Sequence, residues 1–360
     1  MSVRRLRLEP LPEPTAGRKL AVLALSLLAG AAAMSVVFAA NRVNPLFALK
    51  EIIFRSFGSL YGLKETVTKA IPLILIGSGL TLAFRARFWN IGAESQLLLG
   101  AMAASWVGLN WGARLPAALV IPLMFLAGFL AGAFWGLLPA LLKQRFAVNE
   151  VISTLMLNYV AAELLTLLIT GPWRGPSQRG FPYTEPFPAA AKLPLIAGTR
   201  IHYITLAVAL GAAALLYLAV RATRFGYELR VIGENPEAAR YAGISFLRTT
   251  VIIMILSGGL AGVAGVGEAA GLHHRLTYPG VISAGYGFTA IIVAWLAKLN
   301  PLGAVVSGLL FAGILVGGDA IQISLGLPAA TVQVFNGVLL FFLIMGDFFL
   351  TRRVRFARAA

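Results

Sequence analysis

Between Asn90 and Gln96 the chain reads Asn-Ile-Gly-Ala-Glu-Ser-Gln, so two carboxamides, a carboxylate and a hydroxyl fall within two helical turns. The residues that follow, to position 110, are apolar enough to form a membrane span. There, such side chains are costly and are kept for a solute or for a neighbouring helix. Asn90, Glu94 and Gln96 can therefore act in two ways: as donors and acceptors for a polar solute, or as ties between helices. Gly92 permits a tightly packed or broken helix start. A second polar series, Asn149, Glu150, Asn158 and Glu163, lies along the window 151–170. Asn149 and Glu150 stand at its inner end, where contact with another subunit is the expectation. Trp89, Trp106, Phe288 and Trp295 are aromatics for which a belt at the membrane interface accounts. Glu268, Asp319 and Asp347 fall near span ends, where hydration accounts for them.

Several chemistries are excluded. No G-x-x-x-x-G-K-[ST] phosphate loop occurs, nor G-x-S-x-G, nor H-E-x-x-H. There are no cysteines and three histidines, His202, His273 and His274, so thiolate or histidine-rich metal centres and cysteine nucleophiles are not expected. Gly285-Tyr286-Gly287 matches part of a potassium-filter triplet, but the preceding Thr-Val is missing and close helix packing explains the glycines better. The chain reads as something other than an enzyme.

The elements that must position these residues follow from composition. Of the 360 residues 59% are hydrophobic and 12% charged, about half the charge of an ordinary soluble domain. Mean hydropathy is +0.83. The fold class is therefore all-α, a polytopic membrane helix bundle. A span needs about 20 apolar residues, and ten windows qualify: 20–40, 66–84, 91–110, 115–142, 151–170, 203–220, 249–270, 281–297, 301–319 and 328–350. Basic residues outnumber acidic ones 30 to 14, a net charge of +16. With the N-terminus inside, 19 of the 30 fall on the inner side, as expected where Lys and Arg collect in cytoplasmic loops. Ten spans place both termini in the cytoplasm, so the excess charge records topology and calls for no nucleic acid. The organisation is a basic cytoplasmic N-terminus (1–19), one transmembrane domain (20–350) and a basic cytoplasmic tail (351–360). Gly128, Gly132 and Gly136 in one window, Gly258 and Gly262 in another, and Gly313 and Gly317 in a third have the spacing that lets helices approach closely. An outer loop, 171–200, holds six prolines and is either an ordered external cap or a plain extended connection.

The inner loop 221–248 carries Gly233-Glu234-Asn235-Pro236-Glu237-Ala238-Ala239-Arg240-Tyr241-Ala242-Gly243-Ile244. Asn235 suits an N-cap, Pro236 the first helical position, Glu237 the positive helix start and Gly243 the position past the end. The expectation is one cytoplasmic helix of about two turns, short and rigid enough to be worked by a partner.

This loop resembles the coupling-loop signature of bacterial ABC-importer permeases of the branched-chain amino acid, ribose and nucleoside (simple-sugar) group. Asn90 to Leu97 is similar to the Asn-Ile-Gly-Ala-Glu-Gly-Gln-Leu stretch of the nucleoside branch, with Ser95 in place of Gly. Asn149 to Tyr159 resembles another run of that branch, and Gly285 to Phe288 with Asn300 to Gly303 fits its later spans. The resemblance covers about residues 66–350. It implies the pore-forming permease subunit of an importer of a nucleoside-like solute in the bacterial inner membrane. Two ATPase subunits, a second related permease or a second copy of this one, and an extracytoplasmic binding protein or lipoprotein would be its partners. ATP and Mg would sit on the ATPases, and this chain would hold no cofactor. By the same resemblance Gly233, Glu234, Asn235, Pro236, Ala239, Arg240 and Gly243 would couple to the ATPase. The loop 171–200 would face the binding protein. Asn90, Glu94, Gln96, Asn158, Trp106, Phe288 and Trp295 would lie on the solute path. A same-group permease for a simple sugar or branched-chain amino acid is the first alternative; an ATP-independent secondary transporter is the second.

Overall fold

The computed structural model describes residues 4–10 and 15–358, so the flanks 1–19 and 351–360 are described in part. Two compact units result, Lys64–Ala312 and Met1–Leu63 with Gly313–Ala360.

In the first unit the chain runs through α3 (Leu60–Arg85), α4 (Ala93–Trp111), α5 (Ala117–Phe146), α6 (Glu150–Thr170), α7 (Tyr203–Ala222), α8 (Arg224–Glu234), α9 (Pro236–Tyr241), α10 (Phe246–Val266), α11 (Pro279–Ser283) and α12 (Tyr286–Leu296). Its centre is α4, held between α5 and α10 by glycines. Gly128 and Gly132 of α5 face the backbone of Gly262 and Gly258 of α10, and Gly100 of α4 faces Gly262. A Cβ at Gly100, Gly132, Gly258 or Gly262 would meet a backbone carbonyl, and one at Gly128 the Val266 side chain, so the small residues that the spacing picked out are what allow the helices to touch. α3 and α10 are enclosed, with 89% and 78% of their apolar windows buried, whereas α5 and α7 bury 28% and turn their remaining surface outward.

α10 does not end as an α-helix. Gly267–His273 continues it as a π-helix, whose wider turn leaves carbonyls to be satisfied from outside. The proline-rich segment supplies the donors. Leu193 N donates to Ala270 O (3.0 Å), Phe187 N to His274 O (2.8 Å) and Thr184 N to Leu276 O (3.1 Å). Segment 171–200 is thus an ordered cap, laid along the end of α10 and the residues after it.

In the second unit α1 (Ala16–Ala40) packs on α14 (Ala329–Thr351), with Phe38 and Phe335 rings 6.1 Å apart. Between the first two windows the chain forms α2 (Pro45–Ile53) and a π-turn (Phe54–Gly58). The Ser56 hydroxyl donates to Gly313 O (2.6 Å) at the C-terminal part of α13 (Gly303–Leu325), and Gly313 and Gly317 receive Phe57 and Ile52. α2 starts here because the Asn44 side chain caps the amides of Leu46 and Phe47 and Pro45 opens the helix at once. Two strands depart from all-helical structure: β1 (Arg4–Pro10) pairs antiparallel with β2 (Arg352–Arg358), setting the two ends of the chain side by side.

Helices stand at all ten windows. Among the described residues, seven are long and apolar enough to cross a membrane: Leu60–Arg85, Ala117–Phe146, Glu150–Thr170, Tyr203–Ala222, Phe246–His273, Pro279–Leu296 and Gly303–Leu325. α4 is absent from the seven because Glu94, Ser95 and Gln96 lower its hydropathy. Helices and not lipid surround those residues, so its composition is free of the bilayer's demand.

Candidate functional site

The start of α4 is where the polar residues converge. Helix starts leave amide donors without intrahelical acceptors, and Gly92, the N-cap, has no side chain to offer. Neighbours supply it. Asn90 and Gln96 form a reciprocal amide pair, with Asn90 Nδ2 donating to Gln96 Oε1 and Gln96 Nε2 donating to Asn90 Oδ1, both at 3.1 Å. Asn90 Oδ1 also accepts from Gly92 N (3.0 Å), and Asn90 Nδ2 donates to Ser257 Oγ of α10 (3.2 Å). From α6, Asn158 Nδ2 donates to Ile91 O (3.0 Å), Asn158 Oδ1 accepts from Ser95 N (3.1 Å), and Thr154 Oγ1 accepts from Ile91 N (3.3 Å). Ser95 is accommodated because its hydroxyl donates to Gly92 O (2.7 Å).

Glu94 points the other way, to α12. Its Oε2 accepts from Gly287 N (2.7 Å), with the Ser283 hydroxyl and the amides of Gly285 and Phe288 around it. Gly285, the α12 N-cap, provides no side-chain cap, so a carboxylate from another helix caps α12 at its positive end. Gly287 carries no side chain because a Cβ there would strike the Glu94 backbone. Asn90, Glu94, Gln96 and Asn158 are all buried.

The aromatic candidates do not all join this group. Phe288 does: it follows Gly287 directly and is 43% exposed. Trp106 is 12 residues beyond Glu94 on α4, roughly 18 Å along the axis, and pairs with Trp111 at 5.6 Å. Trp295 stacks with Phe84 and Trp89 at the opposite end of α12.

The inner loop holds two helices where one was expected. Thr223 caps α8 through Gly226 N, and α8 buries Leu229 and Ile232. In α9, Asn235 Oδ1 accepts from Ala238 N (3.1 Å), Pro236 opens the helix and Gly243 follows with φ 69°. Gly233 lies directly against the carbonyl of Arg85, the last residue of α3, and the Arg85 guanidinium donates to Leu299 O (3.0 Å). Tyr241 at the end of α9 is 94% exposed. The sequence reading missed Arg85, Thr154, Ser257 and Ser283 because their types are ordinary and their roles arise from contacts distant in sequence.

Glu268 requires a correction. It is 2% exposed in the π-helical end of α10 and not hydrated. Its carboxylate is 3.9 Å from His273 Nε2. Beside it His202 is fully buried, its ring seated on Gly267 and Gly271. Among the described residues neither His202 nitrogen nor Thr205 Oγ1 has a hydrogen-bond partner. Burial first, and the neighbouring His274 second, lower the His202 pKa to about 4. The paired glycines at 267 and 271 were the available sign.

Comparison with known proteins follows this geometry. Residues 62–344 match the family described as branched-chain amino acid transport system / permease component. A glucose ABC transporter permease of Haloferax volcanii is 38% identical, over 92% of this chain and 89% of that protein. A guanosine ABC transporter permease of Bacillus subtilis is 33% identical over 79% and 82%. A nucleoside ABC transporter permease of Lactococcus lactis subsp. cremoris is 27% identical over 91% of each. Such permeases work with ATPase and binding-protein partners, and ATP is hydrolysed on the separate ATPase subunits. With its apolar helices, capped inner helix and no phosphate loop, the chain belongs to this family, as a multi-pass ABC-importer permease of the simple-sugar and nucleoside group.

Proposed function

We propose that this chain forms part of the pore of an importer that moves a nucleoside inward across the bacterial cytoplasmic membrane, with both termini inside. It would pair with a second, related permease and two ATPase subunits carrying ATP and Mg, and would receive solute from an extracytoplasmic binding protein or lipoprotein. The observation that carries this reading is a continuous line of contacts. α9 joins α8, Gly233 of α8 bears on the end of α3, and the chain turns from there into Asn90 and the start of α4, where Glu94 holds α12. A push on α9 would thus reach the polar group without crossing a flexible linker. The solute path runs past Phe288 beside Glu94, and Asn90, Gln96 and Asn158 act by holding that wall in place.

Nucleoside specificity is supported by the guanosine and nucleoside permeases among the relatives. A monosaccharide is the second reading, favoured by the glucose permease at 38% identity. Both solutes present a hydroxylated ring. Titrating the cognate binding protein with nucleosides, monosaccharides and branched-chain amino acids decides between them, and nucleoside binding with no hexose binding is expected. Uptake by reconstituted chain with no ATPase present would overturn the importer reading.

A further inference from the structure

A cavity of about 530 Å³ lies where the end of α3, the α3–α4 connection, the end of α12 and α8 meet; it borders Gly233 and Glu234 of the coupling segment, but its ring stack, Arg87 and Arg230 have no part in the transport reading. One wall is a stack of three rings: Phe84 and Trp295 have centroids 5.9 Å apart and planes 22° apart, and Trp89 and Trp295 are 5.7 Å and 26° apart. Trp89 and Trp295 remain 44% and 36% exposed. Arg85, Arg87, Arg230, Gly233, Glu234 and Leu299 line the rest, with Glu234 as the single carboxylate. Arg230 is near enough to Arg85 for their like charges to act on each other. Among the described residues the Arg87 and Arg230 side chains have no hydrogen bond or ion pair. Gathering three cations around one carboxylate leaves two charges uncompensated, which is unfavourable. Around the same cavity Arg87, Lys298 and Leu299 take left-handed φ values of 56°, 52° and 55°, a strain that persists where the surroundings enforce it.

α3 and α12 belong to spans that end here, so the cavity lies at headgroup depth, where indoles and basic side chains gather. We infer that this cavity binds a phosphate-bearing anion, supplied as the headgroup of an acidic phospholipid. Guanidinium groups match phosphate oxygens in pairs, and the ring stack offers an apolar surface to the glycerol and first acyl carbons. A zwitterionic lipid brings no net charge to offset the two surplus cations.

The purified full chain in neutral detergent is titrated separately with phosphatidylglycerol, phosphatidylcholine and inorganic phosphate, and bound species are read by native mass spectrometry. Phosphatidylglycerol is expected to bind at least about tenfold more tightly than phosphatidylcholine, a difference of ~1.4 kcal/mol. Millimolar inorganic phosphate is expected to displace it without itself forming a stable adduct. Arg87 and Arg230 are exposed, so the Arg87→Ala/Arg230→Ala pair tests charge with the fold kept. It should lose the preference, and the Arg87→Lys/Arg230→Lys pair should keep most of it. Equal binding of the two lipids, or a preference unchanged in the alanine pair, overturns the proposal. Phosphate binding as tightly as the lipid identifies a free anion and overturns the lipid source. Loss of bound lipid on adding the cognate ATPase identifies a protein-docking face and overturns it too.

Discussion

Glu94 joins two helices through one side chain, and its loss should show in both stability and transport. In Glu94→Ala the Gly287 amide loses its buried acceptor, a cost of about 1–3 kcal/mol. The purified protein should melt lower and uptake should fall by more than about tenfold with the chain still in the membrane, whereas Glu94→Gln keeps an acceptor and should recover most of the stability. Wild-type uptake in the alanine variant would remove Glu94 from the mechanism. His202 makes a pH prediction. Its folded pKa of about 4 lies below the ordinary 6.5, so the unfolded chain binds the extra proton as pH falls between those values. The His202 contribution is complete above pH 6.5, declines toward pH 4 and levels off below. At ~1.4 kcal/mol per unit the loss is on the order of 3 kcal/mol. Melting curves from pH 7 to 4.5 should show this decline in the wild type and a flatter profile in His202→Phe.

At the scale of elements, two joints are decisive. The first is the α4–α5–α10 seam, where Gly262 meets Gly100, Gly128 and Gly132. Gly262→Val should abolish recovery of folded protein from membranes, whereas Gly211→Ala, with nothing within 4 Å of the added carbon, should be recovered like the wild type. Comparable recovery of both would show that the seam is not close-packed. The second joint is Gly233 against Arg85. Gly233→Ala must displace α8 from α3, so ATP hydrolysis by the assembled importer should continue while uptake falls. Asn235→Ala removes the α9 cap, worth about 1 kcal/mol, and should weaken coupling less. Tight coupling in the Gly233 variant would place the transmission elsewhere. Helix windows, the α9 cap and the glycine seam were all legible from local spacing. The second inner helix and α2 were not, because each is short and its stability comes from neighbours more than from periodicity.

For the whole molecule, the two compact units divide the described chain between a part built on α4 and a part built on α1, α2 and α14. Membrane residence, helical class and the lack of a phosphate-loop motif follow from composition and motif alone. Lipid imposes apolar length, and a phosphate loop cannot be disguised. Residue type also announced that Asn90, Glu94, Gln96 and Asn158 mattered, since polar groups in spans are costly wherever they sit. Their partners were decided only in three dimensions. Glu94 meets Gly287 from 193 residues away and Asn158 meets Ser95 across 63. The burial of Glu268, unlike a hydrated helix end, depended on a π-turn and on a cap folded over it. Hydropathy and spacing act over one or two turns and could be read along the chain. Which carbonyl, amide or ring each polar side chain meets depends on how distant helices pack, and only the tertiary structure decided that.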